Sequence, residues 1–270
     1  MIWHLIDSDA NTGNYNMEFD LELVHNCKPD EAYFRIYRWN PFCISLGANQ
    51  SFDDINLFKT KQDGIDVVKR PTGGRAILHA EELTYSVVIP LNYKFSPREI
   101  YVKVSHALMR GLEIYNPFLA KSELENYQPD FPKLLEEPSG VLCFASTAKN
   151  EVKFNGKKLI GSAQRKLNNI VLQHGSILCG TFHKKLVDYI NSDEVTKNAL
   201  TSELNTKTTE LGTILNEDID YQKLKTCLIA GFELEWRVKF EKSEALKLVS
   251  TLGRSHFAPK QKLLHQQYFL

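Results

Sequence analysis

The stretch EVKFNGKKLIGSAQRKLNNIVLQHGSIL, residues 151–178, decides the fold because it contains three strand-like segments separated by two short turns. The segments EVKFN, KKLIGSAQRKL and NIVLQHGSIL are joined at Asn155-Gly156 and at Asn168-Asn169. Asn-Gly between two such runs is the strongest short-range signal for a β-hairpin. The stretch therefore predicts three consecutive antiparallel strands.

Strand and helix patterns alternate irregularly over the rest of the chain. Strands are predicted from IWHLI, AYFRIYRW, FCISLG, DGIDVVK, RAILH and ELTYSVVIP, and helices from NYNMEFDLELVHNC, SPREIYVKVSHALMRGLEIY, KKLVDYINS, YQKLKTCLIAGFELEW and KSEALKLVSTL. In ELTYSVVIP the apolar residues alternate, which predicts a half-buried strand. Four prolines between residues 117 and 142 predict mostly loop there.

These patterns predict an α+β fold with mixed, mostly antiparallel sheets flanked by helices, because no regular βαβ rhythm is present. We expect a single domain over residues 1–250, with a helical C-terminal part. The basic residues among polar neighbours after position 251 predict a loosely held tail over residues 251–270.

The composition gives no support to nucleic-acid or membrane binding. Lys+Arg and Asp+Glu both total 33, so the formal net charge is zero. The start MIWHLIDSDANTGN lacks the basic and apolar parts of a signal peptide, and no apolar run reaches the roughly 18 residues of a membrane span. We therefore expect a cytoplasmic protein. The five cysteines include no C-x-x-C pair, so neither a disulfide framework nor a metal site is expected.

Cys143 and Lys158 form a candidate catalytic pair in PSGVLCFASTAKNEVKFNGKK. A free cysteine is mostly thiol at neutral pH, and a nearby ammonium favours the thiolate, which is the attacking form. If the two side chains meet in the fold, the chemistry they support is acyl transfer through an enzyme thioester.

A second candidate segment is RPTGGRAILH, residues 70–79, which places Gly73 and Gly74 between two predicted strands. A Gly-Gly turn lets the backbone approach a ligand and present N–H groups to an oxygen. Arg70, Arg75 and His79 surround it, so we expect a polar cluster on a glycine hairpin. A purely structural turn is the alternative interpretation.

The segments RPTGGRAILHAEELTYSV and NGKKLIGSAQRK, the latter followed by LQHGSI, resemble the two signatures of the lipoate–protein ligase and octanoyltransferase family. NMEFDLELV and YRWNPFCISLG match its opening helix and strands, so the resemblance covers roughly residues 1–235. It implies the catalytic-domain fold of biotin and lipoate ligases. It also implies substrate-binding roles for Arg70, Thr72, Gly73, Gly74, Arg75, His79, Gly161, Ser162, Ala163 and His174.

Two departures from the ligase pattern favour the cysteine-dependent octanoyltransferase branch. Family ligases usually have a third glycine where this chain has Arg75. The transferases similar to this chain use a cysteine at the position of Cys143 and the lysine at the position of Lys158. Cys179 lacks the sequence context of the family branch that places its cysteine later.

The resemblance implies that octanoate passes from a carrier thioester to Cys143 and then to a lysine amine, without ATP or another cofactor. The expected donor is acyl carrier protein or octanoylated H protein, and the expected acceptor is a lipoyl domain or H protein. The backbone near Gly73-Gly74 or Gly161-Ser162 is the expected oxyanion site.

Two other functions stay open on the sequence: an ATP-dependent lipoate–protein ligase, and a non-catalytic scaffold that binds lipoyl domains. Four basic residues near the expected site either dock an acidic carrier domain or form a solvated hairpin face. They are Lys153, Lys157, Arg165 and Lys166.

Overall fold

The computed structural model describes residues 1–91, 94–125 and 150–242. Its strands are β1 (Ile2–Asn11), β2 (Glu31–Trp39), β3 (Cys43–Leu46), β4 (Asp66–Lys69), β5 (Ile77–His79), β6 (Glu82–Pro90), β7 (Glu123–Leu124), β8 (Val152–Phe154), β9 (Lys157–Leu167), β10 (Ile170–Leu178) and β11 (Phe240–Lys242). Its α-helices are α1 (Gly13–Asn26), α2 (Leu57–Gln62), α3 (Pro97–Tyr115), α4 (Glu194–Lys207), α5 (Leu211–Leu215) and α6 (Tyr221–Trp236). Short 3-10 helices span Phe52–Asp54, Pro117–Lys121 and Phe182–Tyr189.

The larger sheet has the strand order β11-β1-β2-β6-β10-β9-β8-β7. Its pairs are antiparallel except β1 with β2 and β1 with β11, which are parallel. The predicted run β8-β9-β10 is confirmed. Asn155 and Gly156 both have positive φ, 49° and 75°, the geometry that a type I′ hairpin turn needs. Asn168 turns the next hairpin with a φ of 52°.

The smaller sheet has the order β4-β3-β5, which corrects the prediction of a glycine hairpin over residues 70–79. β3 lies between the two strands that flank the Gly-Gly segment, pairing with β4 in parallel and with β5 antiparallel. The segment RPTGGR is therefore a crossover loop over the end of β3. The hairpin prediction was wrong because β3, which lies between β4 and β5, comes from residues more than twenty positions upstream of the Gly-Gly segment.

Helices cover both faces of β6, so it is buried along its whole length and the prediction of a half-buried strand was wrong. On one face Tyr85 and Val87 pack in a core with residues of α3 and α6. On the other face Val88 packs with Phe19 and Leu23 of α1. The central position of β6 in the sheet explains this burial.

Side-chain caps fix the starts of α1 and α3. Thr12 caps α1 by accepting the N–H of Tyr15. Ser96 and Glu99 form a capping box at the start of α3, where Pro97 occupies the first turn.

The C-terminal half departs from the prediction in three places. The segment predicted as the helix KKLVDYINS is largely a 3-10 helix, α4 was not predicted, and neither was the parallel edge strand β11. The predicted loop at 117–142 contains the Pro117–Lys121 turn and β7 in its described part. The predicted helix KSEALKLVSTL and the tail at 251–270 lie outside the described residues, and the domain boundaries stay a prediction. In the three described ranges, no helix has the length and apolar character to cross a membrane.

Candidate active site

An apolar cavity opens between the smaller sheet and the middle of β9 and β10. About 350 Å³ of empty space lies in it and in front of it, open solvent included. Met17, Tyr37, Trp39 and Ile77 supply much of its apolar wall. A cavity of this kind suits a short aliphatic chain rather than a charged ligand.

Both signature segments contribute to the same wall. Six of the residues predicted to bind substrate line the cavity, namely Arg70, His79, Gly161, Ser162, Ala163 and His174. These residues are up to 104 positions apart in the chain (174 − 70), so the fold itself brings the two signatures together. Thr72 lies directly behind His174, with its Oγ1 2.6 Å from Nε2.

His174 connects the signature loop to a buried carboxylate on α1. Its Nδ1 lies 3.5 Å from Oδ2 of Asp20. Burial opposes ionisation of Asp20, but the guanidinium of Arg35 and the contact with His174 outweigh it and hold the pKa of Asp20 below its usual value. Burial lowers the pKa of His174, so its ring is neutral at neutral pH. The Nδ1 hydrogen therefore faces Asp20, and the Thr72 hydroxyl donates to Nε2.

A similar chain holds His79 on the opposite side. Its Nδ1 lies 2.8 Å from Oε1 of Glu82, and its Nε2 lies 2.7 Å from Oγ of Ser45. Oε1 of Glu82 also accepts the hydroxyls of Thr84 and Ser176. Burial would raise the pKa of Glu82, but His79 and these hydroxyls hold it below its usual value. These polar atoms bond to one another around Oε1 of Glu82 rather than facing the cavity, whose surface is apolar.

Arg70 organises the crossover loop from inside. Nη1 donates to the carbonyl of Ser45 at 2.9 Å, and Nη2 donates to the carbonyls of Gly73 and Arg75 at 3.0 and 2.7 Å. Gly74 has a φ of 93°, which favours glycine. The side chain of Arg75, predicted to contact substrate, is buried. Arg70 therefore supports the loop backbone in addition to lining the cavity.

Lys158 lies next to the cavity wall and pairs with Glu151. Its side chain is 1% exposed, and Nζ lies 2.9 Å from Oε2 of Glu151, whose side chain is 2% exposed. The other oxygen, Oε1, accepts the N–H of Ser162 at 3.0 Å. That N–H is therefore already engaged, and the oxyanion site expected at Gly73-Gly74 or Gly161-Ser162 stays a prediction. Cys143, the predicted partner of Lys158, lies outside the described residues.

The other cysteines are poor nucleophiles. Burial raises the pKa of Cys27 and of Cys179 to about 12, and it raises the pKa of Cys43 and Cys227 as well. Thiols of this kind carry almost no thiolate at neutral pH. Across residues 1–91, 94–125 and 150–242, no group of three His, Cys, Asp or Glu side chains is arranged to hold a metal ion.

Five polar residues of the site were not predicted from the sequence. They are Asp20, Arg35, Ser45, Glu82 and Glu151. Each is a polar residue within an ordinary helix, strand or turn pattern, and no motif marks it. One sequence signal could have indicated a buried ion pair: a charged residue on the apolar face of a predicted helix or strand, such as Asp20 on α1.

Comparisons with known proteins agree with this geometry. Residues 12–233 match the family model described as the lipoyl protein ligase A/B catalytic domain. The chain is 29% identical over 269 residues to octanoyltransferase LipM of Lysinibacillus sphaericus, covering 95% of this chain and 96% of that protein. It is 30% identical over 249 residues to octanoyltransferase LipM of Macrococcus caseolyticus, covering 90% of each. For octanoyltransferase LipM of Bacillus subtilis the identity is 28%, over 95% of each chain.

Solved structures show the same fold at lower identity. A bipartite lipoate protein ligase from Thermoplasma acidophilum superposes with a TM-score of 0.73 at 18% identity, covering 95% of this chain and 93% of that one. A lipoate-protein ligase A bound with ATP gives a TM-score of 0.70 at 18% identity, covering 95% of each. At this identity the likeness concerns the fold, which confirms the predicted α+β catalytic-domain architecture.

Proposed function

Because this chain belongs to the lipoyl protein ligase A/B catalytic-domain family, we propose that it moves an octanoyl group from a carrier-protein thioester, through Cys143, to a lysine of a lipoyl domain or H protein. The chain is an acyltransferase, like the octanoyltransferases it resembles over most of its length. The observation that carries the proposal is the convergence of both signature segments on one apolar cavity beside Lys158.

The cavity supports an aliphatic acyl substrate. Its exposed surface is apolar although side chains with a hydroxyl, imidazole or guanidinium group line it, because these groups bond to one another or to residues behind the wall. An alkyl chain entering such a space loses contact with water without displacing polar partners. A lipoate-sized or octanoate-sized chain is of the right chemical class.

The chemistry proceeds in two transfers. Cys143 thiolate attacks the carrier thioester, the new C–S bond forms, and the carrier thiolate leaves and takes a proton. The target amine then attacks the acyl-cysteine, loses its proton to the departing Cys143 thiolate or to solvent, and the C–S bond to Cys143 breaks. Exchange between thioesters is near neutral in free energy and amide formation is downhill, so no ATP is needed.

The pKa values of the described cysteines support Cys143 as the nucleophile. Cys179 is the other cysteine close to a signature segment, and burial, together with the charge of Glu82, raises its pKa to about 12. Cys179 is buried and therefore inaccessible, and a thiol of that pKa is not activated.

The partner surface is proposed from exposed basic residues on β9 and its hairpin. Lys157 and Lys166 are exposed, while Arg165 donates to the carbonyl of Pro71 and so ties β9 to the signature loop. Lys153 pairs with Glu125. We expect acidic carrier and lipoyl domains to dock beside the cavity, with an on-rate that falls as salt increases.

The test is octanoyl transfer from octanoyl-acyl carrier protein to a lipoyl domain and to H protein, without ATP, followed by acceptor mass. Wild type and Cys179→Ala should modify the acceptor lysine, whereas Cys143→Ala should not and Lys158→Ala should do so far more slowly. Cys179→Ala is the matched control because it removes a buried thiol. Acceptor modification only with free lipoate and ATP, unaffected by Cys143→Ala, would establish a ligase instead.

A further inference from the structure

Glu151 and Lys158 form a buried ion pair at the edge of the cavity. Both side chains are at most 2% exposed, and the Nζ–Oε2 distance is 2.9 Å. The pair links the two strands of the β8–β9 hairpin, since Glu151 immediately precedes β8 and Lys158 is the second residue of β9. A charged pair this deep in the fold needs further hydrogen bonds to be tolerated.

The second carboxylate oxygen of Glu151 makes one such hydrogen bond, to the backbone of the cavity wall. Oε1 accepts the backbone N–H of Ser162 at 3.0 Å, and Ser162 lines the cavity. The carboxylate therefore joins two points of β9, the ammonium of Lys158 and the backbone of the cavity wall. The position of Nζ relative to that wall depends on both bonds.

We propose that Glu151 is the positioning residue of the catalytic lysine, whose ammonium it holds in a fixed place relative to the cavity wall. This inference rests on the proposed function, because it gives Glu151 a role only through Lys158. A buried ammonium without a carboxylate tends to lose its proton or turn toward water. Either change removes the cation that stabilises a thiolate.

A neighbouring ion pair provides a matched comparison. Lys153 and Glu125 also pair at 2.9 Å between β8 and the end of β7, but both side chains are 18% exposed. Neither side chain takes part in the bonds from Glu151 to Lys158 and to the N–H of Ser162. Glu125→Gln therefore removes the same kind of charge from the same part of the sheet and leaves those two bonds in place.

The experiment measures steady-state octanoyl transfer for Glu151→Gln, Glu151→Asp, Glu125→Gln, Lys158→Ala and the double variant Glu151→Gln/Lys158→Ala. A displaced catalytic group typically costs on the order of 100-fold in rate. We expect that loss in kcat for Glu151→Gln, with KM unchanged. Glu151→Asp should recover part of the loss, Glu125→Gln should match wild type, and Glu151→Gln should cost nothing further in the Lys158→Ala background.

Wild-type kcat in Glu151→Gln, or an equal loss with and without Lys158, would overturn the inference, and it would leave the proposed function intact if Lys158→Ala is strongly impaired. Full activity of Lys158→Ala would instead overturn the role of the lysine and the inference with it. If Glu151→Gln fails to fold, Glu151→Asp tests the inference by itself, because it keeps the carboxylate charge and shortens the side chain by one methylene group. A reduced kcat at unchanged KM supports positioning, and a wild-type kcat contradicts it.

Discussion

Asp20 is fully buried and ionised, and it holds together the polar network behind the cavity. Its oxygens accept from Arg35 at 2.8 Å and from Ser86 at 2.8 Å, and they face His174. Arg35 is itself completely buried, lies over the ring of Tyr37 and donates to Asn16 and Ser8. The negative charge of Asp20 thus offsets the free-energy cost of burying the guanidinium of Arg35.

Asp20→Asn should destabilise the protein by about 3–5 kcal/mol at neutral pH, because it leaves the buried Arg35 charge without its partner. Ser86→Ala, which removes one neutral donor to the same carboxylate, should cost only about 1 kcal/mol. Urea unfolding measures both. The folded-state pKa of Asp20 is lowered from 3.8, so its contribution is complete above that pH and is lost only as the pH falls through the lower folded value. A deficit that disappears already at pH 5 would contradict this.

At the scale of elements, the close contact of β9 with β10 shapes the cavity wall. Gly175 of β10 lies opposite Ser162 of β9. A Cβ at Gly175 would lie 2.8 Å from Cε1 of Tyr85, 2.9 Å from Oγ of Ser162 and closer still to the carbonyl oxygen of Gly161. Two of these groups belong to the cavity wall, and so the two strands can meet there only at a glycine.

Gly175→Ala should therefore lower the free energy of unfolding by about 1–3 kcal/mol and reduce octanoyl transfer, because β9 must move away from β10. Gly73→Ala is the control for stability, since no atom lies within 4 Å of a Cβ placed there. Thermal unfolding and the transfer assay check both variants. Equal stability of Gly175→Ala and wild type would show that the strands adjust without strain.

The elements that were predicted correctly are those whose signals are local. The β8-β9-β10 run depends on Asn155-Gly156, and α3 depends on the Ser96 cap, both readable over a few residues. The order β4-β3-β5 depends on β3 pairing with distant strands, which no turn signal reports. The family resemblance likewise identified six residues that line the cavity. It did not identify Glu151 and Asp20, because their partners come next to them only in the folded chain.

At the scale of the whole molecule, two buried histidines link stability to pH. Burial lowers the pKa of His174 and of His183 from 6.5. The unfolded chain therefore binds protons at these sites before the folded chain does. The stability they contribute is complete above pH 6.5 and is lost as the pH falls below it toward the lower folded values.

The free energy of unfolding should accordingly decrease as the pH falls from 7 through 6, and His174→Gln or His183→Gln should each flatten that slope. His25→Gln, at an exposed position on α1, should leave the slope as in wild type. Urea unfolding at several pH values measures the slopes. Identical slopes in all four proteins would contradict the linkage.

The most direct test of the central claim is the intact mass of the enzyme after incubation with octanoyl-acyl carrier protein in the absence of ATP. Wild type should gain one octanoyl group, hydroxylamine should remove it, and Cys143→Ala should gain none. An adduct on neither protein, with acceptor modification appearing only when lipoate and ATP are supplied, would contradict the thioester mechanism.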